Sequence, residues 1–261
     1  MEIKIYQIDA FANNTFEGNP AAVCPLNEWL SDELLQKIAE ENNLSETAFF
    51  VAEGDGYSLR WFTPEDEVDL CGHATLAVAH VLFQHIGYVK ESILFYTKSG
   101  ELEVDKSSSG YSMSFPASDA KPIDTPSLLK EALGVVPTKT LVAFDYIVVL
   151  DSEAQVKSLS PDFVKLQALD LRGVAVTAAG EETDFVSRCF FPKLRVNEDP
   201  VTGSAHCELA PYWAKKLCRN QLVGKQLSQR TGLVQCKVVG DRVILSGNAV
   251  DYMSGLVTIK T

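Results

Sequence analysis

The chain has 261 residues, 46% of them apolar, and a formal net charge of −12 at neutral pH. That length suffices for one large or two small domains, each with a proper core. The acidic balance argues against a nucleic-acid partner, since such proteins concentrate lysine and arginine on one face. A small anionic ligand stays open, because it needs only local positive potential.

Met1-Glu2-Ile3-Lys4-Ile5 alternates straight into a strand, without a signal-peptide core, and no run of about 18 apolar residues follows. A cytoplasmic protein, off the membrane, is expected. The six cysteines (Cys24, Cys71, Cys189, Cys207, Cys218, Cys236) form no Cys-x-x-Cys and have no histidine at ligand spacing. They read as reduced thiols, with no metal site.

In chain order, a strand over 3–11 is followed by Gly18-Asn19-Pro20-Ala21-Ala22-Val23, a glycine-led turn opening a short helical piece. Asn19 would cap it, with Pro20 at the first helical position. Ser31-Asp32 cap an amphipathic helix over 33–41, which two asparagines end. A strand over 47–51 carries Glu46 at its mouth. Glu46 is either a solvated strand-end residue or a functional acid. A strand over 57–63, a helix through residue 86 and strands over 93–97, 101–105 and 111–117 complete the first half. Residues 118–126, with two prolines, are the linker candidate. The domains predicted are therefore 1–117 and 118–261, with the last strand able to return to the first. The second half has a helix near 128–133, a strand region over 140–150, a helical or turn-rich stretch to 170, and strands over 173–177 and 184–191. A helix over 205–217 and strands over 226–231, 235–239, 242–246 and 253–259 follow.

The halves resemble each other. Arg60-Trp61-Phe62-Thr63-Pro64 and Cys71-Gly72-His73-Ala74 precede one helix; Arg188-Cys189-Phe190-Phe191-Pro192 and Thr202-Gly203-Ser204-Ala205 precede the other. Past each helix comes a second match, Lys98-Ser99-Gly100 and Arg230-Thr231-Gly232. Gly72 to Gly100 spans 28 positions and Gly203 to Gly232 spans 29. This is an internal duplication. Strands outnumber helices and hairpins dominate, so the class is α+β.

Each glycine corner opens a helix, whose first N–H groups can receive a carboxylate or an enolate-like oxygen. Two such corners could face one another across a cleft between the halves. Near them stand Glu46, Cys71, His73, Asp199, Ser204 and His206, enough for proton transfer without a metal. Taken singly, each has an ordinary alternative: His73 a first-turn histidine, Ser204 a helix cap, Cys71 a small buried residue. His80 and His85 lie on the helix body and read as structural.

Arg60-Trp61-Phe62-Thr63-Pro64, Asp69-Leu70-Cys71-Gly72-His73-Ala74-Thr75, Asn43-Leu44-Ser45-Glu46-Thr47-Ala48-Phe49 and Glu198-Asp199-Pro200-Val201-Thr202-Gly203-Ser204-Ala205-His206 together resemble the PhzF-like isomerase family. The opening Gly18-Asn19-Pro20-Ala21-Ala22-Val23 matches as well. The resemblance implies a diaminopimelate epimerase-like fold of two pseudo-symmetric halves, each a mostly antiparallel sheet wrapped around a central helix. It also implies a homodimer and no cofactor. It places Glu46 as the group that takes a proton from carbon and redelivers it, with a pKa raised by a partly apolar pocket. His73 and Asp199 hold or protonate the substrate with Ser204; Asn19, Cys71, Gly72, Ala74 and Gly203 line its binding site. The implied reaction is an isomerisation of a small carboxylate, similar to that of dihydro-hydroxyanthranilate. Epimerases of that superfamily use two thiols, and here Thr202 replaces the second, which disfavours that chemistry. A one-thiol racemase or dehydratase using Cys71, or a catalytically silent binding protein, are the alternatives.

Overall fold

The computed structural model describes residues 1–107 and 110–260. They divide into two compact units, Met1–Ser114 together with Ser246–Thr261, and Phe115–Leu245. The division expected from the sequence falls at 117/118, with the last strand able to return to the first half. In the structure that strand lies with the first, because it pairs along the whole of the N-terminal strand.

In the first unit β1 (Glu2–Ala10) is antiparallel to β2 (Asn19–Leu26), with Tyr6 opposite Val23. Helix α1 (Asp32–Asn42) buries Leu35, Ile38 and Ala39 and ends on a left-handed Asn43, whose N–H returns to the Ala39 carbonyl. β3 (Glu46–Glu53) then runs parallel to β2, and β4 (Gly56–Phe62) antiparallel to β3. The short β5 (Glu67–Val68) folds back on β4. Helix α2 (Gly72–Val81) is buried from His73 through Val81. Its alanine-rich body, interrupted only by His73, Thr75 and His80, has no polar face to offer water, so it becomes the centre around which the strands close. A π turn, Leu82–Ile86, extends it to a left-handed Gly87. β6 (Ser92–Thr97) pairs parallel with β4, and β7 (Gly100–Ser107) and β8 (Gly110–Pro116) follow as antiparallel neighbours.

One local expectation fails here. The stretch 19–24 is strand, not helix, and Asn19 begins β2 rather than capping a helix. Gly18 has φ +68°, and a Cβ on it would lie 2.1 Å from the Ala10 carbonyl oxygen. That glycine turns the chain tightly back along β1. Ala21, Ala22, Val23 and Cys24 are then buried on both faces, and a doubly buried strand reads as a continuous apolar run rather than an alternating one.

The second unit starts with β9 (Lys121–Ile123), inside the expected linker, and α3 (Ser127–Leu133). β10 (Lys139–Val142) and β11 (Tyr146–Val149) form a hairpin, with β9 on the other side of β10. Two short helices, α4 (Glu153–Ser158) and α5 (Phe163–Gln167), precede β12 (Val174–Ala179), which is parallel to β11. β13 (Phe185–Phe191) is antiparallel to β12, and β14 (Val196–Asp199) folds back on β13. Helix α6 (Gly203–Leu217) carries Pro211 in its body. Proline cannot donate to the carbonyl four residues earlier; that carbonyl, of Cys207, instead accepts from Ser118 N–H at 3.1 Å. β15 (Gln221–Gln226) is parallel to β13 and antiparallel to β16 (Gly232–Val239), and β17 (Arg242–Gly247) follows. The strand predicted over 226–231 is largely a turn: Ser228 Oγ accepts from Thr231 N–H, and Thr231 sits at φ +57°. β18 (Ala249–Thr258) then pairs with β1.

The duplication extends beyond the motifs that reveal it. The pairing β1–β2–β3–β4–β6, with β5 on β4, matches β10–β11–β12–β13–β15, with β14 on β13, including the parallel steps β2–β3, β4–β6, β11–β12 and β13–β15. An ion pair is repeated too. Arg60 grips Glu67 through two bonds of 2.7 and 2.8 Å, and Arg188 grips Glu198 at the same two distances.

Candidate active site

In the first unit the site is built on the first turn of α2. Cys71 is the residue before the helix and its side chain does not cap it. The strand register puts Glu46, first residue of β3, opposite Ala21 of β2. His73, on the first turn, reaches two groups. Its Nε2 lies 2.8 Å from Glu46 Oε2, and its Nδ1 lies 3.5 Å from Cys71 Sγ. The His73 and Glu46 side chains are 8% and 17% exposed. Glu46 Oε2 is buried and, beyond the His73 contact, meets no hydrogen-bond partner among the described residues.

Burial alone would pull the His73 imidazole down, but facing Cys71 and the Glu46 carboxylate hold its pKa well above the ordinary value. Burial first, and then the Glu46 charge, push the Cys71 thiol up. Burial and the Glu46 charge thus disfavour ionisation of the Cys71 thiol, while the groups facing His73 favour its charged form. Gly72 and Ala74 flank His73 on the same turn, and Asn19 is fully buried at the start of β2.

In the second unit the corresponding turn opens α6. Thr202 takes the place of Cys71, again without capping the helix. Its hydroxyl donates to Asp199 Oδ2. Ser204 is exposed and accepts from Arg172 at 3.0 Å. His206 is fully buried, bonded through Nδ1 to the Thr202 carbonyl, and burial depresses its pKa to about 4. It is a neutral structural histidine.

The sequence brings Cys71, Gly72, His73 and Ala74 together by adjacency, and Asp199, Gly203 and Ser204 likewise. It does not disclose Gln226 or Arg172. Gln226, fully buried on β15, accepts from Thr202 N–H at 2.9 Å and donates to the Asp199 carbonyl at 2.7 Å and Thr202 Oγ1 at 3.2 Å. It fixes the corner on which Asp199 sits. Arg172 stacks over Phe191 at 5.2 Å and makes a two-bond pair with buried Asp145 at 3.1 and 2.6 Å. Beneath it, Glu208 is fully buried; burial and the Asp145 charge raise its pKa to about 8. Both residues lie 19 or more positions from the residues they touch, so no local spacing marks them. Two histidines read as structural, His80 and His85, meet Asp251 in the first unit.

No helix of the described residues is long and apolar enough to cross a membrane. A family model described as phenazine biosynthesis-like protein matches residues 8–255. An uncharacterized isomerase of Pseudomonas aeruginosa is 54% identical over 255 residues, covering 98% of both chains. A PhzF-family crystal structure from Enterococcus faecalis superposes with a TM-score of 0.97 at 48% identity, over 99% of this chain and 100% of that one. A hydroxyproline epimerase of Agrobacterium vitis shares the fold at a TM-score of 0.61 and 10% identity, over 98% of this chain and 92% of its own. The chain belongs to the phenazine biosynthesis-like PhzF family.

Proposed function

We propose that this protein is a cofactor-independent isomerase in which Glu46 removes a proton from one carbon of a small unsaturated carboxylate and returns it to another. The coarser statement, an enzyme of the isomerase or epimerase type, is supported by relatives that carry the name isomerase. The observation that carries the finer one is the buried Glu46–His73 pair at 2.8 Å. A buried carboxylate can take a proton from carbon and give it back, with the imidazole beside it to balance the change in charge. His73 then offers a hydrogen bond to the charge that develops on the substrate. The uncapped first turn of α2 provides N–H groups for the substrate carboxylate. The substrate class is that of a dihydro-hydroxyanthranilate or a related amino or hydroxy acid with a movable double bond. The net reaction shifts one proton and the double bond, so no electron acceptor is consumed.

Cys71 as sole base is the second reading. It is disfavoured because the buried thiol beside Glu46 resists ionisation. Proton exchange in heavy water, followed by NMR on a panel of such acids, separates the two. Deuterium enters carbon with wild type, and Glu46→Gln slows it about 100-fold or more. Full exchange by Glu46→Gln refutes the role of Glu46, and loss confined to Cys71→Ser transfers it to the thiol.

A further inference from the structure

Two departures from regular backbone occur close together in the first unit, and each aims a side chain at one spot. The first is the π turn Leu82–Ile86 at the end of α2. In a regular α-helix, residues five apart lie on different faces; the wider π turn brings them together. His80 and His85 therefore converge, with ring centroids 6.1 Å apart. The second is a bulge in the β1–β18 pairing, where Gln7 faces Met253 and the next residue, Ile8, faces Asp251. The extra residue, Tyr252, changes the face on which Asp251 falls. Asp251 Oδ2 lies 3.2 Å from His80 Nε2, and Oδ1 lies 2.6 Å from His85 Nε2.

We propose that His80, His85 and Asp251 form a binding site for a divalent transition-metal ion of the zinc type, separate from the Glu46–His73 site. One ligand atom from each of the three lies within 4.8 Å of the others. Two imidazoles and a carboxylate suit zinc, with a water in the fourth position. Tetrahedral bonds of about 2.0–2.1 Å put neighbouring ligand atoms about 3.3 Å apart. The His80–Asp251 separation already matches. The His85–Asp251 contact must open by less than about 1 Å, and these side chains, 30% and 51% exposed, are free to turn. The remaining nitrogen of His80 is held: Nδ1 lies 3.1 Å from the Tyr111 hydroxyl, which accepts from Gln84 at 3.3 Å. A hydroxyl has two lone pairs, so Tyr111 can also take an Nδ1–H, leaving Nε2 for the metal. His80 is buried at the base of the site while His85 and Asp251 line its mouth, which gives an ion access from solvent. Bound there, the ion would tie β18, the chain's last strand, to the end of α2.

The test is titration of chelator-treated protein with cobalt(II) as the probe, read by visible absorption, and with zinc(II), read by calorimetry and thermal unfolding. Wild type takes up one ion, shows cobalt d–d bands without a thiolate charge-transfer band, and melts higher with zinc. His85→Ala, at a half-exposed side chain, and the isosteric Asp251→Asn each weaken binding about 100-fold or more, and Tyr111→Phe about 10-fold. Circular dichroism confirms that the variants are folded. Undiminished binding in both His85→Ala and Asp251→Asn overturns the assignment. So does a site lost in Cys71→Ser, which would place the ion at Glu46, Cys71 and His73, or no spectral change at millimolar cobalt.

Discussion

Replacing Glu208 with glutamine removes a pH dependence of stability that the wild type carries between pH 4.5 and 8. Glu208 is fully buried on α6; its Oε2 accepts a long bond of 3.4 Å from Asp145 N–H and its Oε1 has no hydrogen-bond partner among the described residues. Burial, then the neighbouring Asp145 charge, raise its pKa from the ordinary 4.5 to about 8. One guanidinium, that of Arg172, lies between two carboxylates, and Asp145 has it. The second carboxyl is therefore held in its neutral form. A folded-state pKa above the unfolded value means that the native state keeps a proton the unfolded chain has released. The stability linked to that proton is complete below pH 4.5 and is lost as pH rises through about 8. At about 1.4 kcal/mol per pH unit, the ceiling is about 5 kcal/mol. Urea unfolding at pH 5, 6, 7, 8 and 9, for wild type and Glu208→Gln, measures it. The wild type loses midpoint relative to the variant at each step up to about pH 8, and the two curves run parallel above. Parallel curves throughout, or a wild type that gains relative to the variant on alkalinisation, would refute the reasoning.

Three further outcomes are expected. His206, depressed from 6.5 to about 4 by burial, has the opposite sign: its contribution is present above pH 6.5 and disappears as pH falls through 4. His206→Gln therefore flattens the acid side by up to about 3 kcal/mol in the same urea series. Gln226→Leu removes three hydrogen bonds at the Asp199–Thr202 corner and leaves buried polar atoms unmatched. It costs about 2–3 kcal/mol in urea and lowers isomerase turnover. In native protein, a thiol reagent labels Cys218 first, because the other five cysteines are buried; peptide mapping after a short pulse checks this.

The architecture was legible where sequence and local physics coincide. A glycine corner at the head of a helical run announces each central helix, and the repeated Arg-aromatic-Pro segments announce the duplication. The repeated arginine–glutamate grips explain why those arginines stand where they do. Legibility ended where distant chain segments decide. Gly18-Asn19-Pro20 has the signature of a helix start, but residues 21–24 are claimed by β1 on one side and β3 on the other, and that burial outweighs local preference. Glu46 could be read either way alone; only the register of β3 on β2 and the turn of α2 put its carboxylate on His73. Arg172 and Ser204 are 32 positions apart, and His80 and Asp251 are 171 apart. Contacts of that kind leave no periodicity in a single sequence.

The duplicated corners differ in chemistry at one position, and that difference bears on mechanism. In a two-thiol epimerase, each corner would need a residue able to take a proton from carbon. Cys71 retains a thiol, but burial and the Glu46 charge push its pKa up. At the corresponding position Thr202 carries a hydroxyl already committed as donor to Asp199. Its neighbour Cys189, opposite Asp199 in the strand register, has a thiol that burial pushes far up. Neither thiol nor hydroxyl is thus a ready base at either corner. In the proposed reading the carboxylate of Glu46, buried beside His73, is the group that accepts the proton and gives it back. A single base serving both steps delivers the proton to another carbon of the same substrate rather than to the opposite face of one carbon. That is a double-bond shift, and it separates this chain's proposed chemistry from the racemisation of its fold relatives.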